Sequence, residues 1–245
     1  MTGFANRIRR TLFTTWIERR RGPPEPTPLT PWHGNDVRKL SPLSRNFGYD
    51  RGTPIDRFYL EGFLAENAGD IHGRVLEIGD NRYTLRYGAD QVQRSDVLDV
   101  DVTNPNATFV GDIAQANTLP ASIFDCIVVT QTLQFIYDLR AALSILHQAL
   151  KPGGVLLLTA PGISQIGDSE ASSWYWSLTT VSARRLLEEQ FRSDAVVVGA
   201  HGNVFAATAF LYGVALEELD RVDLDVFDAS YPIIVTGRAV KSKDT

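Results

Sequence analysis

Residues 73–80 read Gly-Arg-Val-Leu-Glu-Ile-Gly-Asp, a compact apolar run that a glycine breaks at position 79. Such a run is typical of a strand that is buried in a parallel sheet and runs into a loop. Just upstream, residues 55–64 repeat apolar side chains every three to four positions, which predicts a helix ending near residues 67–69. A helix followed by a buried strand indicates an α/β protein.

The same alternation continues toward the carboxyl end of the chain. Further strands are predicted at residues 97–102, 108–111, 124–130, 155–160, 195–198 and 233–238. Helices are predicted at residues 139–150, 182–191 and 204–219, with a helix stop and a turn at 150–154. We therefore predict an open α/β sheet with helices on both faces, whose ligands bind beyond the carboxyl ends of the strands.

The composition is that of an ordinary globular protein and excludes several classes. The 245 residues carry a net charge of −5 and include a lone cysteine, Cys126, and four scattered histidines. A disulfide framework and a zinc site are therefore not expected. No apolar run approaches the length of about 20 residues that spans a bilayer, so we expect a cytoplasmic protein without stable membrane insertion. The mild acidity gives no reason to expect nucleic acid as a partner.

The first 54 residues differ from the rest. Residues 6–21 combine arginines with apolar side chains near helical spacing, which predicts a short basic amphipathic helix. Repeated prolines at 22–31 predict a stiff linker, and an irregular arm follows to residue 54. We thus divide the chain into an arm, 1–54, and a main domain, 55–245. The basic helix has several explanations: it lies on an anionic membrane, docks on its own domain, joins a homodimer, or frays.

The first strand-to-loop junction carries Glu77, Gly79 and Asp80. A glycine directly after the strand lets a ligand approach the backbone, and a carboxylate can hold a cationic or hydroxyl-bearing ligand. The pyrophosphate fingerprint G-x-G-x-x-G is absent, and the acidic side chains would repel a diphosphate. The junction therefore favours a ligand without phosphates over a nicotinamide dinucleotide.

Polar side chains also follow the next three strands. A carboxylate after the second strand commonly accepts the ribose hydroxyls of a nucleoside, and Asp101 is favoured because the chain turns away just after it. Asp96 and Asp99 are equally explained as solvated or capping groups. Asp112, after the third strand, is placed to accept a hydrogen bond from an exocyclic amine. The fourth strand ends in polar residues, 130–132, which have no role in a core.

Five short motifs follow one another between residues 73 and 162. They are Val-Leu-Glu-Ile-Gly at 75–79, Val-Gly-Asp-Ile at 110–113, Leu-Pro at 119–120, Phe-Asp-Cys-Ile at 124–127 and Leu-Lys-Pro-Gly-Gly at 150–154. Each is common alone, but their order and spacing together resemble the class I S-adenosylmethionine-dependent methyltransferases. The resemblance implies a Rossmann-like sheet of seven strands with a reversed last strand, which we place at 233–238.

The resemblance also implies S-adenosylmethionine as cofactor and a role for several of the junction residues. Glu77 and Gly79 would contact its methionine portion, and Asp101 its ribose. Where the common pattern has a second glycine, this chain has Asn81. No metal is implied.

The remaining cofactor contacts fall after the third and fourth strands. Asp112 and Ile113 would contact the adenine, and Gln131 and Thr132 would lie beside the cofactor at the mouth of the site. The candidate cofactor-binding residues are completed by Asp80 and Asp96.

The acceptor is bound by parts of the chain that the five motifs do not describe. Arg57 and Tyr59, together with Arg51, are candidates for binding a polar or anionic group of the acceptor. Trp174 and Trp176 are further candidates for binding the acceptor. Each has a structural alternative: Arg57 pairs on the surface of its helix, and the tryptophans form a packed lid.

Two residues are candidates for catalysis. His201 follows a predicted strand and is a candidate general base, although a lone histidine without a geometric partner is a weak signal. Tyr175, like Asp168, belongs to the segment that normally covers the substrate in this family.

The acceptor class is implied by one further string. Gly-Thr-Pro-Ile-Asp-Arg-Phe-Tyr-Leu-Glu at residues 52–61 looks like the lead-in of bacterial methyltransferases found near glycosyltransferases and in natural-product pathways. This resemblance implies O-methylation of a sugar or of a secondary metabolite. Two alternatives stay open: a catalyst of this fold that transfers no methyl group, such as a cyclase or decarboxylase, and a non-catalytic partner subunit.

Overall fold

The computed structural model describes residues 39–168 and 170–243, whose strands form one mixed sheet of seven. The strands are β1 (Gly73–Ile78), β2 (Val92–Asp99), β3 (Phe109–Val110), β4 (Phe124–Thr130), β5 (Leu150–Pro161), β6 (Val196–His201) and β7 (Ile234–Val240). Their order across the sheet is β3-β2-β1-β4-β5-β7-β6. Only β7 runs antiparallel to its neighbours, β5 and β6. The predicted seven-stranded sheet with a reversed last strand is confirmed.

Two strands begin earlier than their apolar residues predict. β2 begins at Val92 because its exposed first half, residues 92–95, still pairs with β1. It also ends at Asp99, before the predicted end at residue 102. β5 begins at Leu150, where we predicted a helix stop and a turn. The helix does stop, but Leu150 already pairs with Phe124, and the register shifts before the next pair, Val155 with Cys126.

Helices cover both faces of the sheet. They are α1 (Ile55–Glu66), α2 (Leu139–Ala149), α3 (Thr180–Glu188), α4 (Val204–Leu211) and the short α5 (Arg221–Leu224). Successive strand residues point to opposite faces, so Val128 packs in the core with α1 and α4, whereas Ile127 and Val129 pack in the core with α2 and α3. Side-chain oxygens of Asp138 and Asn203 accept backbone N–H groups and begin α2 and α4.

The predicted helix at residues 204–219 is interrupted, so that prediction is wrong beyond α4. Gly213 has a φ of +69°, the left-handed region that favours glycine at the end of a helix. A Cβ at this position would lie 2.5 Å from the carbonyl oxygen of Ser44. The close approach of the two backbones forces the chain to turn here, and it continues as a 3₁₀ turn, Leu216–Glu218.

The end of the arm packs against this turn. The backbone N–H of Leu43 donates to the carbonyl oxygen of Tyr212 at 2.8 Å. The guanidinium of Arg51 pairs with the buried carboxylate of Glu218, with an Nε to Oε2 distance of 3.0 Å. These contacts fix residues 43–52 against the domain near the amino end of α1.

The structure does not test the predictions for the first 31 residues, but it does bear on the prediction about membrane insertion. The predicted basic helix at residues 6–21 and the proline-rich linker at 22–31 lie outside the described residues. Within 39–168 and 170–243, no helix is both long and apolar enough to cross a membrane.

One buried lysine closes the carboxyl end of α2. The Nζ atom of Lys241 donates to the carbonyl oxygens of His147 at 2.9 Å and Leu150 at 2.8 Å. We predict that Lys241→Met lowers the free energy of unfolding by about 1.5–3 kcal/mol, because the last helical carbonyls lose a charged donor. Urea unfolding measures the loss. Lys243→Met, at an exposed lysine, is the control, and equal losses in the two variants would contradict the prediction.

Candidate active site

The candidate site lies at the edge of the sheet where β1, β2 and β4 end. These strands are parallel, with Glu77 of β1 opposite Val97 of β2 and Val128 of β4. The strand order reverses between β1 and β4, and sheets of this kind bind ligands at such a switch point.

The carboxylate of Glu77 connects the end of β1 to the helical segment that follows it, which includes a π-helix at Thr84–Gly88. The residue is 1% exposed, and its carboxylate accepts the backbone N–H groups of Thr84 at 2.7 Å and Tyr83 at 3.3 Å. Burial raises the pKa of Glu77 to about 8, because an ionised carboxylate is costly away from water, although the two N–H groups favour the charge. Glu77 therefore supports the loop that contains Gly79.

The backbone at Gly79 is held open to a ligand. Gly79 has a φ of +81°, and a Cβ built there would meet nothing within 4 Å. The amide of Asn104 donates both to the Gly79 carbonyl oxygen at 2.9 Å and to Asp99 Oδ2 at 2.7 Å, which joins the ends of β1 and β2. Asn81, where a second glycine is common, donates to Ser95 Oγ at 3.1 Å.

The three aspartates around β2 have different surroundings. Asp96 lies within the strand, and its buried carboxylate pairs with Arg74 and Arg94, so the structure does not bring it to the ligand edge. Asp99 ends the strand, and burial raises its pKa. Asp101 accepts the N–H and hydroxyl groups of Thr103, both on Oδ1.

The other predicted cofactor residues lie at or beside the same edge. Asp80 is paired with Arg82 at 2.9 Å. Asp112 follows β3 and accepts the backbone N–H of Ala114 at 2.9 Å, and Ile113 beside it is buried. After β4, Gln131 has a φ of +47°, an unusual conformation for a residue with a side chain. The last residue of the set is the buried Thr132.

A cavity of about 60 Å³ opens beside Gln131. Its walls come from the end of the arm, the start of α1, the loop after β4 and the segment after β5. The lining residues are Asn46, Phe47, Tyr49, Asp56, Arg57, Gln131, Gln134, Phe135, Pro161, Ser164, Glu170, Trp174, Phe210 and Ile233. Sequence reasoning included Arg57, Gln131 and Trp174 among these residues as candidates.

Three polar atoms in the cavity walls are buried and have no hydrogen-bond partner among the described residues. They are Oδ1 of Asp56, Oε1 of Gln134 and Nε1 of Trp174. Buried polar atoms are nearly always paired in folded proteins, so these three atoms are positioned to bind water or the polar groups of a ligand. Sequence reasoning missed Asp56 and Gln134 as site residues, because Asp56 is equally expected as a charged residue in the first turn of a helix.

Arg57 is held rigidly in the same wall. Its Nε donates to the Tyr49 hydroxyl at 2.9 Å, and its Nη1 lies 3.8 Å from Asp56 Oδ2. Burial alone would lower the pKa of Arg57, but the Asp56 carboxylate and the tyrosines raise it, so the net pKa is well above its ordinary value. The cavity therefore contains a permanent cation next to a carboxylate.

The structure does not bring His201 and Tyr59 to this cavity. They stack with ring centroids 6.0 Å apart and line a second cavity, of about 310 Å³, beneath residues 224–227. The Tyr59 hydroxyl donates to the carbonyl oxygen of Leu224 at 3.0 Å, and burial raises its pKa to about 12. Burial lowers the pKa of His201, whose Nε2 lies 3.4 Å from the Thr236 hydroxyl. The two cavities share no lining residue.

The three adjacent aromatic residues, 174–176, have different positions. Trp174 lines the first cavity, whereas Tyr175 packs edge-on against Tyr137 outside it. Trp176 stacks on Tyr137, and its Nε1 donates to the carbonyl oxygen of Ile136 at 3.0 Å.

The two remaining candidates for the acceptor and the lid also lie elsewhere. Arg51 is paired with Glu218, and Asp168 lines a separate depression with residues of the arm. In the described part of the chain, no group of three or more His, Cys, Asp or Glu side chains is arranged to hold a metal ion.

The comparisons with known proteins agree with this architecture. A model of the methyltransferase domain family matches residues 43–211, more than half of the chain. The chain belongs to this family, and its sheet is that of the class I S-adenosylmethionine-dependent methyltransferases.

Individual relatives are more distant. The chain is 30% identical over 86 residues to the ubiquinone/menaquinone biosynthesis C-methyltransferase UbiE of Pectobacterium carotovorum subsp. carotovorum, which covers 35% of this chain and 32% of that protein. It therefore spans about a third of the length of the curated relatives it matches.

Solved structures share the fold at low sequence identity. A SAM dependent methyltransferase from Archaeoglobus fulgidus is similar with a TM-score of 0.52 and 14% identity, covering 76% of this chain and 94% of that chain. The 4+2 cyclase SpnF is similar with a TM-score of 0.53 and 17% identity, covering 95% of this chain and 93% of that chain.

S-adenosylmethionine is the cofactor of this family, and the edge of the sheet fits it. The open space at Gly79 lets a ligand lie against the backbone, and Asp99 and Asp101 follow or end the neighbouring strand β2 at the same edge. A cationic sulfonium with ribose hydroxyls and no phosphate suits such an acidic edge.

The raised pKa of Glu77 predicts a pH dependence of stability. Because its folded pKa of about 8 exceeds the ordinary 4.5, the folded protein holds an extra proton between these values. This contribution to stability is complete below pH 4.5 and is lost as the pH rises through about 8. Since Glu77→Gln cannot ionise, its free energy of unfolding should rise relative to that of the parent across the window. Urea unfolding at several pH values measures this, and a constant difference would contradict it.

Proposed function

We propose that the protein transfers the methyl group of S-adenosylmethionine to a hydroxyl of a small molecule, a sugar or a secondary metabolite. The observation that carries the proposal is the cavity beside Gln131, at the carboxyl ends of β4 and β5, with buried oxygen acceptors in its walls. An acceptor in this cavity would lie next to the cofactor edge. The lead-in string at residues 52–61, which forms part of the cavity wall through Asp56 and Arg57, supports the same acceptor class.

The cofactor contacts in this proposal follow the ends of the strands. Glu77 and Gly79 bind the methionine portion, Asp101 accepts the ribose hydroxyls through its Oδ2, and Asp112 with Ile113 contacts the adenine. Asp101 is preferred to Asp96 because the Asp96 carboxylate is already paired with two arginines.

Methyl transfer requires few catalytic groups from the protein. When bound, S-adenosylmethionine supplies a methyl group already activated by its positive sulfur. The chain's own residues must orient the acceptor hydroxyl toward it and accept the released proton. Asp56 and Glu170 are the carboxylates that line the cavity, so we assign proton acceptance to this pair rather than to His201 or Tyr175.

Calorimetric titration with S-adenosylmethionine tests the cofactor site. We predict saturable binding, weakened in Asp101→Ala by about 1.5–3 kcal/mol through the loss of charge-assisted hydrogen bonds. Asp90→Ala, which removes an exposed carboxylate near the start of β2, should bind like the parent. An absence of binding would contradict the function, and equal affinity in Asp101→Ala would move the ribose contact to Asp99.

Methyl transfer itself has a separate test. We predict that methyl-labelled S-adenosylmethionine and a small-molecule extract of the source cells yield a labelled hydroxylated product with the parent protein and little with Asp101→Ala. A cyclase or decarboxylase of this fold would bind the cofactor without consuming it. Binding without any labelled product would therefore favour that alternative.

A further inference from the structure

The three unpaired atoms of the cavity define what the acceptor must offer. Asp56 is 8% exposed and Gln134 is 3% exposed, so neither unpaired oxygen is satisfied by bulk water. A buried polar atom without a partner destabilises the folded protein, and a bound molecule that forms the missing hydrogen bond removes this cost. The pattern consists of two acceptors and one donor, the indole N–H of Trp174.

The orientation of each atom is fixed by its neighbours. Gln134 Nε2 donates to the carbonyl oxygen of Gln131 at 3.0 Å, so its Oε1 is the free end of the amide. Asp56 Oδ2 faces Arg57, and its Oδ1 is the unpaired oxygen. Both side chains therefore direct a hydrogen-bond acceptor, and not a donor, into the cavity.

Aromatic rings hold the Trp174 indole in place. Phe47 stacks on it with centroids 6.5 Å apart, and Phe135 lies perpendicular to it at 5.5 Å. Phe210 continues the apolar wall behind Phe47. The polar atoms are thus set among apolar ring surfaces, which suit the apolar skeleton of a ring or chain.

The donor and acceptor pattern discriminates between classes of ligand. An ammonium group only donates, so it would leave the Trp174 N–H unpaired. A carboxylate only accepts, so it would leave Asp56 and Gln134 unpaired. The Asp56 and Glu170 carboxylates also oppose the attraction of Arg57, whose guanidinium already contacts Asp56 and Tyr49. A hydroxyl both donates and accepts and carries no charge.

We propose that the cavity takes a neutral polyhydroxylated molecule, whose hydroxyls donate to Asp56 Oδ1 and Gln134 Oε1 and accept from Trp174 Nε1. This rests on the proposed function in assigning that molecule as the methyl acceptor. Asp56, Gln134 and Trp174 then determine specificity for hydroxyls over amines and acids. The recognition itself is a binding property and has a test independent of methyl transfer.

The test follows the indole N–H resonances of the full chain by nitrogen–proton correlation spectroscopy. Trp174→Phe identifies the Trp174 resonance by its loss. The neutral probes are ethylene glycol, glycerol and meso-erythritol, small enough for a cavity of about 60 Å³, and the charged probes are methylammonium, which only donates, and acetate, which only accepts. We expect a saturable downfield shift of the Trp174 indole proton with the neutral probes and none with the charged ones.

Matched variants locate the binding. Trp176 is the internal control, because its Nε1 already donates to Ile136 and should not move. Gln134→Leu should lower the affinity for the neutral probes by about tenfold, because one hydrogen bond between uncharged groups, of roughly 1.4 kcal/mol, is lost. Gln148→Leu, at an exposed glutamine on α2, should leave the affinity unchanged.

The outcomes separate this inference from the proposed function. No saturable shift with any of the three neutral probes, or an equal shift with methylammonium, would overturn it. If S-adenosylmethionine fails to bind while the polyols shift Trp174, the proposed function fails and the polyol site stands. If the cofactor binds and the polyols do not, only the polyol site fails.

Discussion

The site depends on one buried carboxylate, that of Glu77. It is almost fully withdrawn from water, and two backbone N–H groups from the turn at Tyr83 and Thr84 hold it in place. This anchor fixes the far end of the loop in which Gly79 is left-handed with open space beside it, and the N–H of Gly79 itself donates to the carbonyl oxygen of Leu98 at 2.9 Å. Asn104 completes the arrangement by joining that loop to the end of β2.

Much of this architecture is evident from local sequence patterns. The fourth strand is predicted with the bounds that the structure has, because residues 124–130 are buried almost throughout and polar residues follow them at once. β2 is harder to predict, since its first half is exposed and is strand only because β1 lies beside it. The interruption near Gly213 depends on the distant Ser44, a contact that local periodicity does not contain.

The acceptor cavity shows why the chemistry of binding is less predictable than the fold. Asp56 and Gln134 are 78 positions apart in the chain, and what distinguishes them is the absence of a partner in the folded protein. Among the three aromatic residues 174–176, only Trp174 lines the cavity, although sequence alone does not rank them. His201 illustrates the converse: it was predicted to follow a strand, whereas it is the last residue of β6, which lies beyond β7 from the other five strands.

The central claim is that a cofactor bound at the ends of β1, β2 and β4 directs its sulfur into the cavity beside Gln131. A crystal structure of the full chain with S-adenosylhomocysteine tests this claim directly. We predict that the ribose lies against Asp101 and that the sulfur faces the cavity beside Gln131, with Asp56 and Trp174 across from it. A sulfur directed away from this cavity, for example toward the one beside His201, would contradict the assignment of the acceptor site.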